Sequence, residues 1–312
     1  MLFFAGINKM DTEEQRRLLA QLESFNTLAV IKESATKGTL KAKNWTANQL
    51  AGLAKKAGKE DWQERIQDID EKSNWEVIEL QATIDKTMEE MQTLCDYEIR
   101  AYLKEDIAKL VGLPRTSSMD EISQKYLETL AKHFKIRNWK TLSPGELENR
   151  LYQSCLEEQL EMIKQYVRKL SPDDEGKVTE LLQKEVEALS HSEQEAMRRA
   201  TGLDNLTGEA LLTLIKTTSA LAIAQALIAS TGFGAYLFLS TMLKAISLLL
   251  GVSFAFGTYA GASTVMAFFV SFPFLVMFLV GGGGLLWWRT QSKLNDFMIK
   301  AVFMAGKARL VA

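Results

Sequence analysis

The sequence contains few of the residues that carry most catalytic and metal chemistry. Its 312 residues include two histidines, two cysteines and four prolines. Cys95 and Cys155 are sixty residues apart and form no CxxC or CxxH pattern, so their spacing indicates neither a disulfide framework nor a metal site. Both lie on apolar faces of predicted helices. We therefore favour buried free thiols, as expected in a reducing cytosol, over a disulfide or a metal site.

Neither histidine belongs to a recognisable catalytic constellation. Ser190-His191-Ser192 places a serine and a histidine side by side at a helix start, which is not the geometry of a triad. His133 lies between two lysines at a helix end, where a cation suits the helix dipole. Gly281 to Gly284 lack the Gly-Lys-Ser/Thr ending of a phosphate-binding loop. We predict that the protein is not an enzyme and expect no cofactor and no metal.

The sequence also lacks charge over one long stretch. From Thr217 to Trp288 the only charged side chain is Lys244. From Thr217 onward six basic residues stand against one acidic residue, so the acidic excess lies in the first 216 residues. An acidic front and an apolar, basic rear predict a chain that meets a membrane. They argue against nucleic acid as a partner, because the positive charge adjoins apolar sequence.

Helical periodicity runs through the first 205 residues. We predict an all-α fold, a multi-helix bundle with a C-terminal hydrophobic helical hairpin that either inserts into a membrane or is sheathed by amphipathic helices. Thr12 opens a first helix, and a second short helix covers residues 26–35. An apolar stripe from about Trp75 to Val111 predicts one continuous helix, roughly 55 Å long. Further helix starts are indicated by a serine with an acidic residue three positions later, at Ser118, Ser143, Ser171 and Ser190.

Composition divides the chain into four predicted segments. Residues 1–115 form an N-terminal acidic helical region with a long helix, and residues 116–205 form a helical bundle region. Residues 206–288 form hydrophobic helices with the membrane hairpin, and residues 289–312 form a basic amphipathic helix.

Two stretches of the hydrophobic segment are long enough to cross a bilayer, Tyr236–Phe256 and Ala262–Val280. Gly257 to Gly261 separates them as a turn or a tight helix contact, and Pro273 predicts a kink. Lys244, near the middle of the first stretch, would cost about 2.5–3.5 kcal/mol at the bilayer centre. It either snorkels, lies in a span of shifted register, or faces a polar seam, a partner helix or a pore.

Aromatic and basic residues close the hydrophobic segment. Trp287, Trp288 and Arg289 have the pattern of aromatics at headgroup depth followed by a cation. The closing helix carries Lys293, Lys300 and Lys307 opposite an apolar face, which suits an anionic cytoplasmic leaflet. The candidate membrane-insertion residues are Tyr236, Lys244, Phe256, Gly257, Gly261, Pro273, Trp287, Trp288 and Arg289.

The C-terminal pattern resembles that of the YaaW-type family of bacterial proteins. The residues that carry the resemblance are Gly232-Phe233, Tyr236, Ser240-Thr241, Leu248 to Val252, Phe256, Tyr259, Gly261 and Ser263. Upstream blocks at 118–122 and 170–174 are similar in kind. The chain departs from the family pattern at 253–256 and 271–274. The resemblance implies a bacterial source and a helical fold, and it brings no catalytic residues.

Three functional hypotheses follow. In the leading one the protein inserts the hairpin to perturb or permeabilise the bacterial inner membrane, in a stress- or defence-linked role. It would lie at the cytoplasmic face of that membrane, or in the cytoplasm with conditional insertion, and its partner would be an anionic bilayer. In the second the protein is a membrane-anchored, non-enzymatic scaffold or adaptor whose acidic helical domain binds a protein partner. In the third the protein is a soluble bundle, or a homo-oligomer, with the tail as its buried core. The pore-forming domains of colicin-like toxins sheathe apolar hairpins in this way.

Overall fold

The computed structural model describes residues 2–36, 84, 86–229, 233–249 and 291–311. Every regular element in these ranges is helical, which confirms the predicted all-α class. The 3-10 turns are Met91–Thr93 and Trp139–Thr141. The α-helices used below are α1 (Leu2–Lys9), α2 (Thr12–Thr36), α3 (Asp96–Leu110), α4 (Met119–His133), α5 (Pro144–Val167), α6 (Pro172–Glu187), α7 (His191–Thr201), α8 (Gly208–Thr217), α9 (Ala220–Ala229), α10 (Phe233–Leu249) and α11 (Gln291–Val311).

Short polar motifs fix the helix starts. Ser118, Ser143 and Ser190 each accept a hydrogen bond from the backbone N–H of the glutamate three residues later, and that glutamate accepts the serine N–H in return. Ser171 accepts from the backbone N–H of Asp174 in the same way. These contacts satisfy donors that the first helical turn leaves unpaired. The four predicted starts are confirmed.

Two predicted helix boundaries are wrong. The continuous helix expected from Trp75 to Val111 is interrupted, because the turn Met91–Thr93 leads into an extended residue, Leu94, with ψ of 134°. The N–H of Cys95 then donates to the Glu98 carboxylate at 2.9 Å and α3 begins anew. An apolar stripe alone does not reveal such a cap. The two short helices expected near the N-terminus are one helix, α2.

The chain forms two compact units. One consists of Met1–Gln15 together with Leu103–Ala312, and the other of Arg16–Tyr102. Within the second unit Ile84 and Ile99 are buried, and the hydroxyls of Ser24 and Thr87 are 3.2 Å apart. Apart from Cys95, the features discussed below lie in the first unit.

Helix α5 is the central element of the first unit. It packs against α1, α4 and α11, and also against α8 and α9. Its buried side chains recur every three or four residues and include Leu147, Leu151, Leu156, Leu160, Ile163 and Val167. A helix that is apolar over more than one face must be enclosed by other elements. Helix α10 packs against α6, α7 and α9.

Helices α1 and α11 approach each other at two glycines. A Cβ on Gly6 would overlap the backbone carbonyl of Gly306, and a Cβ on Gly306 would overlap the carbonyl of Phe3. The rings of Phe3 and Phe303 have centroids 5.4 Å apart beside this crossing. The hydroxyl of Tyr126 on α4 donates to the Ile299 carbonyl at 2.6 Å, and burial raises the pKa of that hydroxyl. The crossing therefore joins α1 and α11, while Tyr126 joins α4 to α11.

Candidate functional site

The first predicted membrane span begins as helix α10, which is buried against two charged helices. Its side chains at 237–239, 242, 243, 245 and 246 are buried. They pack against α6 and α7, which we call the sheath. Residues 250–256 of the predicted span lie outside the described residues. Tyr236 and Lys244, two of the predicted insertion residues, both lie on α10.

A glycine brings α10 onto the sheath. A Cβ at Gly234 would overlap the backbone carbonyl of Ala196 on α7 and crowd the methyl of Ala200. The two helix backbones are therefore in direct contact at this point. Small residues are what allow helices to approach this closely.

Lys244 has a carboxylate partner in the sheath. Its ammonium lies 2.5 Å from the Glu185 carboxylate on α6, and the two side chains are 32% and 16% exposed. The lysine is therefore half-buried, and its charge is compensated by a helix of the acidic front. A polar side chain in an apolar helix needs such a partner, because an unpaired buried charge is costly.

Helix α6 contacts both α8 and α10 of the C-terminal half. Its Glu175 carboxylate lies 2.5 Å from the Lys216 ammonium at the end of α8. Its Gln183 side-chain oxygen accepts the N–H of Gly208 at 2.9 Å, at the start of α8. Between these polar contacts Val178, Leu182 and Val186 form a buried stripe. Helix α6 thus packs on α8 and α10 through the same combination of apolar stripe and ion pairs.

Helix α9 carries the start of the charge-poor stretch and is anchored to α5. Ile223, Ala224 and Leu227 are buried, whereas Leu221 is exposed. Just before α9, the buried Lys164 ammonium on α5 donates to the carbonyl of Thr218. A cation at this position is favourable because the C-terminal end of α8 carries partial negative charge.

Two lysines of the predicted lipid-facing helix lie inside the protein. Residues 297–307 of α11 are buried without interruption. The Lys300 ammonium lies 2.6 and 2.7 Å from the two oxygens of Glu158, and the Lys307 ammonium lies 3.4 Å from Glu148, both on α5. Lipid contact by these lysines would require α11 to separate from α5.

The Glu158 carboxylate joins three helices. His133, at the end of α4, has one ring nitrogen 3.9 Å from Glu158 and the other 3.7 Å from Asp296 on α11. Burial raises the pKa of Glu158, but the nearby His133 and the charge and hydrogen bonds of Lys300 outweigh it, so the pKa is lowered. One helix turn away, burial strongly raises the pKa of the Cys155 thiol.

The cysteine predictions have different outcomes. Both thiols are free, and Cys155 is buried as predicted. Cys95 is exposed, which contradicts the prediction for that residue. The reason is the helix start described above, which turns Cys95 from a position within an apolar stripe into a cap.

Seven predicted insertion residues lie outside the described residues: Phe256, Gly257, Gly261, Pro273, Trp287, Trp288 and Arg289. Among the helices that are described, none combines the length and the apolar character that a bilayer crossing requires.

The carboxylate partners of the tail were missed by sequence reasoning. Glu185 lies next to Val186 of an amphipathic stripe, and nothing local distinguishes it from other surface glutamates. The available signal was Lys244 itself, since a single lysine in an apolar run calls for a counter-ion. Lys300 and Lys307, seven residues apart on one helix face, were a second signal of the same kind.

The geometry defines a class of protein, an all-α bundle in which charged helices enclose an apolar one. No family model, no curated protein and no solved structure matches the chain. The resemblance to the YaaW-type family stays a prediction.

Proposed function

We propose that the protein acts on the bacterial inner membrane by releasing α10 from its sheath and inserting the charge-poor segment as a hairpin. Insertion would perturb or permeabilise the bilayer, in a stress- or defence-linked role, without enzymatic chemistry. The observation that supports the proposal is the enclosure of α10, an apolar helix bearing one lysine, by charged helices that pair that lysine with Glu185. The protein would rest in the cytoplasm or at the cytoplasmic face of the membrane.

The Glu185–Lys244 pair sets a barrier to release. Separating α10 from α6 leaves Glu185, which is 16% exposed, without its lysine. It also moves Lys244 towards lipid, at a cost of about 2.5–3.5 kcal/mol at the bilayer centre. The apolar side chains of α10 are already buried against the sheath and find equally apolar surroundings in lipid, so the ion pair sets the polar part of the cost. Weakening the pair on the sheath side should therefore promote insertion.

A leakage assay tests the proposal. The full chain is added to dye-loaded vesicles of phosphatidylcholine with increasing phosphatidylglycerol. We expect dye release that rises with the anionic lipid. Glu185→Gln should release dye faster than the unmodified protein, because the neutral amide holds Lys244 less strongly.

Glu180→Gln is the matched control, since Glu180 is an exposed glutamate of the same helix. It makes the same change in net charge, and we expect it to release dye at the unmodified rate. Absence of leakage at every lipid composition would refute the proposal. Equal acceleration by both variants would show that net charge, and not the Lys244 contact, controls release.

The scaffold hypothesis needs a test other than truncation. Removal of residues 207–312 would take away α8, α9 and α11, which cover α5 and α6. The remaining helices would lose a large part of their buried surface, so loss of partner binding would be uninformative. Overexpression of the full chain separates the two functions, because a permeabilising protein slows growth of its host and a scaffold does not. Vesicle binding with neither leakage nor a growth defect would favour the scaffold.

A further inference from the structure

The connection between α4 and α5 carries a concentration of positive charge. Residues 132–140 contain Lys132, Lys135, Arg137 and Lys140 and no acidic residue. All four of these basic residues are exposed. Three apolar side chains alternate with them and are only partly buried, namely Phe134, Ile136 and Trp139. We call residues 132–140 the basic loop.

The backbone of the basic loop is held in a defined conformation. The N–H of Lys135 donates to the Lys132 carbonyl at 3.1 Å, and the N–H of Ile136 donates to the Ala131 carbonyl at 2.9 Å. This is the hydrogen-bond pattern of a Schellman motif, whose left-handed position is usually occupied by glycine. Here Lys135 occupies it with φ of 51°. Within the described residues, the other non-glycine residue with positive φ is Asn138, in the same loop.

The basic loop lies beside the start of α11. The ring of Phe134 lies beneath the Lys300 ammonium, 5.2 Å from it, and packs edge-on against His133 at 5.0 Å. His133 in turn lies 3.7 Å from Asp296 on α11. In the sequence, the charge-poor stretch ends at Trp288, eight residues before Asp296. The loop therefore lies beside the helix that follows that stretch in the sequence.

We infer that the basic loop is a docking surface for anionic lipid headgroups, which places the protein on the bilayer before any helix inserts. Its exposed cations complement a negative surface, and its half-buried apolar side chains suit the boundary between headgroups and acyl chains. Lys140 lies 5.6 Å from the centre of the Trp139 ring, so a cation and an aromatic side chain are presented together. A lipid surface fits better than nucleic acid, because partly buried apolar side chains, Phe134, Ile136 and Trp139, alternate with the cations. The inference rests on the proposed function for the choice of a membrane as the partner.

The expected strength follows from the number of charges. Each lysine or arginine near an anionic leaflet strengthens binding roughly fivefold. Neutralising Lys135, Arg137 and Lys140 together should therefore weaken binding roughly a hundredfold. Lys132 is left in place because its ammonium also contacts Glu128 at 2.5 Å.

The test compares two variants of the full chain in vesicle sedimentation. The loop variant combines Lys135→Gly, Arg137→Gln and Lys140→Gln. Glycine is chosen at 135 because it tolerates positive φ, so the charge is removed without strain on the fold. The control variant combines Lys109→Gln, Lys169→Gln and Lys184→Gln, three exposed lysines elsewhere with the same total charge. Circular dichroism checks that both variants keep their helix content.

With vesicles containing phosphatidylglycerol we expect the loop variant to bind roughly a hundredfold more weakly than the control variant. With pure phosphatidylcholine the two should bind equally, and high salt should remove the difference. Equal binding of the two variants to the anionic vesicles would overturn the inference. So would tighter binding of the loop to a nucleic acid oligonucleotide than to vesicles. These outcomes are distinct from failure of the proposed function, because sedimentation measures vesicle binding, whereas the proposed function is tested by dye leakage.

Discussion

Two glycines determine how closely α1 and α11 can pack. At Gly6 and Gly306 the space that a side chain would need is filled by the backbone of the other helix. Backbone atoms cannot move aside as the end of a flexible side chain can. The pair is therefore a requirement of the packing, although glycine lowers the intrinsic stability of a helix by about 1 kcal/mol relative to alanine.

Gly306→Ala should lower the free energy of unfolding by about 1–3 kcal/mol, because the added methyl overlaps the Phe3 carbonyl. Gly176→Ala is the matched control, since Gly176 lies within α6 and a Cβ there would meet open space. The control should gain about 0.5–1 kcal/mol from helix propensity alone. Urea unfolding measures the free energy of unfolding of both variants. Equal effects of the two substitutions would contradict the close contact.

Buried polar side chains show where residue-level reasoning from sequence fails. Ser118 and Ser143 could be assigned as caps because their partners are three residues away. Lys300 looked like a lipid-facing residue, because its partner Glu158 is 142 residues away in the sequence. Charge on a helix face indicates solvent or lipid by default, and only the three-dimensional structure supplies a counter-ion inside the protein.

At the scale of elements, α11 is fixed to α5 by ion pairs as well as by apolar packing. Lys307 and Glu148 are 8% and 1% exposed at their side chains, and their charged atoms lie 3.4 Å apart. Ten residues along α5, Glu158 pairs with Lys300. Both pairs lie between the same two helices, so they fix the register of α11 along α5.

Lys307→Met should lower the free energy of unfolding by about 3–5 kcal/mol, because it leaves the Glu148 carboxylate buried without its lysine. Adding Glu148→Leu should restore most of the loss, since an apolar pair then replaces the buried carboxylate as well as the lysine. Thermal or urea unfolding of the three variants provides the measurement. If the double variant is no more stable than Lys307→Met, the pair is not the source of the loss.

The prediction of α10 shows how far sequence reasoning reaches for an element. An apolar run beginning near Tyr236 indicated a helix, and α10 is that helix. Its surroundings could not be read from the run, because lipid and the apolar face of a protein helix select the same side chains. Two contacts show that α10 packs against protein helices: Gly234 with Ala196, and Lys244 with Glu185. The residues of these pairs are 38 and 59 positions apart in the sequence.

At the scale of the whole molecule, carboxylates make stability depend on pH. The pKa of Glu158 is lowered in the folded protein by His133 and Lys300. The pKa values of Glu121 and Glu146 are lowered by the backbone and hydroxyl groups of their capping serines. A group with a lowered folded pKa stabilises the fold above its unfolded pKa, and that contribution is lost as the pH falls through the folded value.

We therefore expect the free energy of unfolding to decrease as the pH is lowered below about 4.5, the ordinary pKa of glutamate. Glu158→Gln should unfold more easily near neutral pH and should lose less stability on acidification than the unmodified protein. Glu157→Gln, at the neighbouring and partly exposed position, is the control. Urea unfolding at about pH 6 and about pH 3 measures the difference. An unchanged pH dependence in Glu158→Gln would contradict this assignment.

Composition divides the chain into segments that follow one another in the sequence. The structure joins Met1–Gln15 to Leu103–Ala312 in one unit, so residues at the two ends of the sequence share a core. Periodicity and capping are local and could be predicted. The pairing of α1 with α11 depends on Gly6 and Gly306, whose separation of 300 residues leaves no local trace.

The crossing of α1 and α11 also sets an order of events during synthesis. A ribosome that adds roughly 5–20 residues per second needs roughly 15–60 s to pass from Phe3 to Phe303. Throughout that interval the apolar face of α1 lacks α11, the helix whose backbone it contacts at Gly6. Helix α10 has the opposite history, since α6 and α7 leave the ribosome before it. The apolar helix α10 is thus synthesised after the two helices that cover it, whereas α1 is synthesised long before α11.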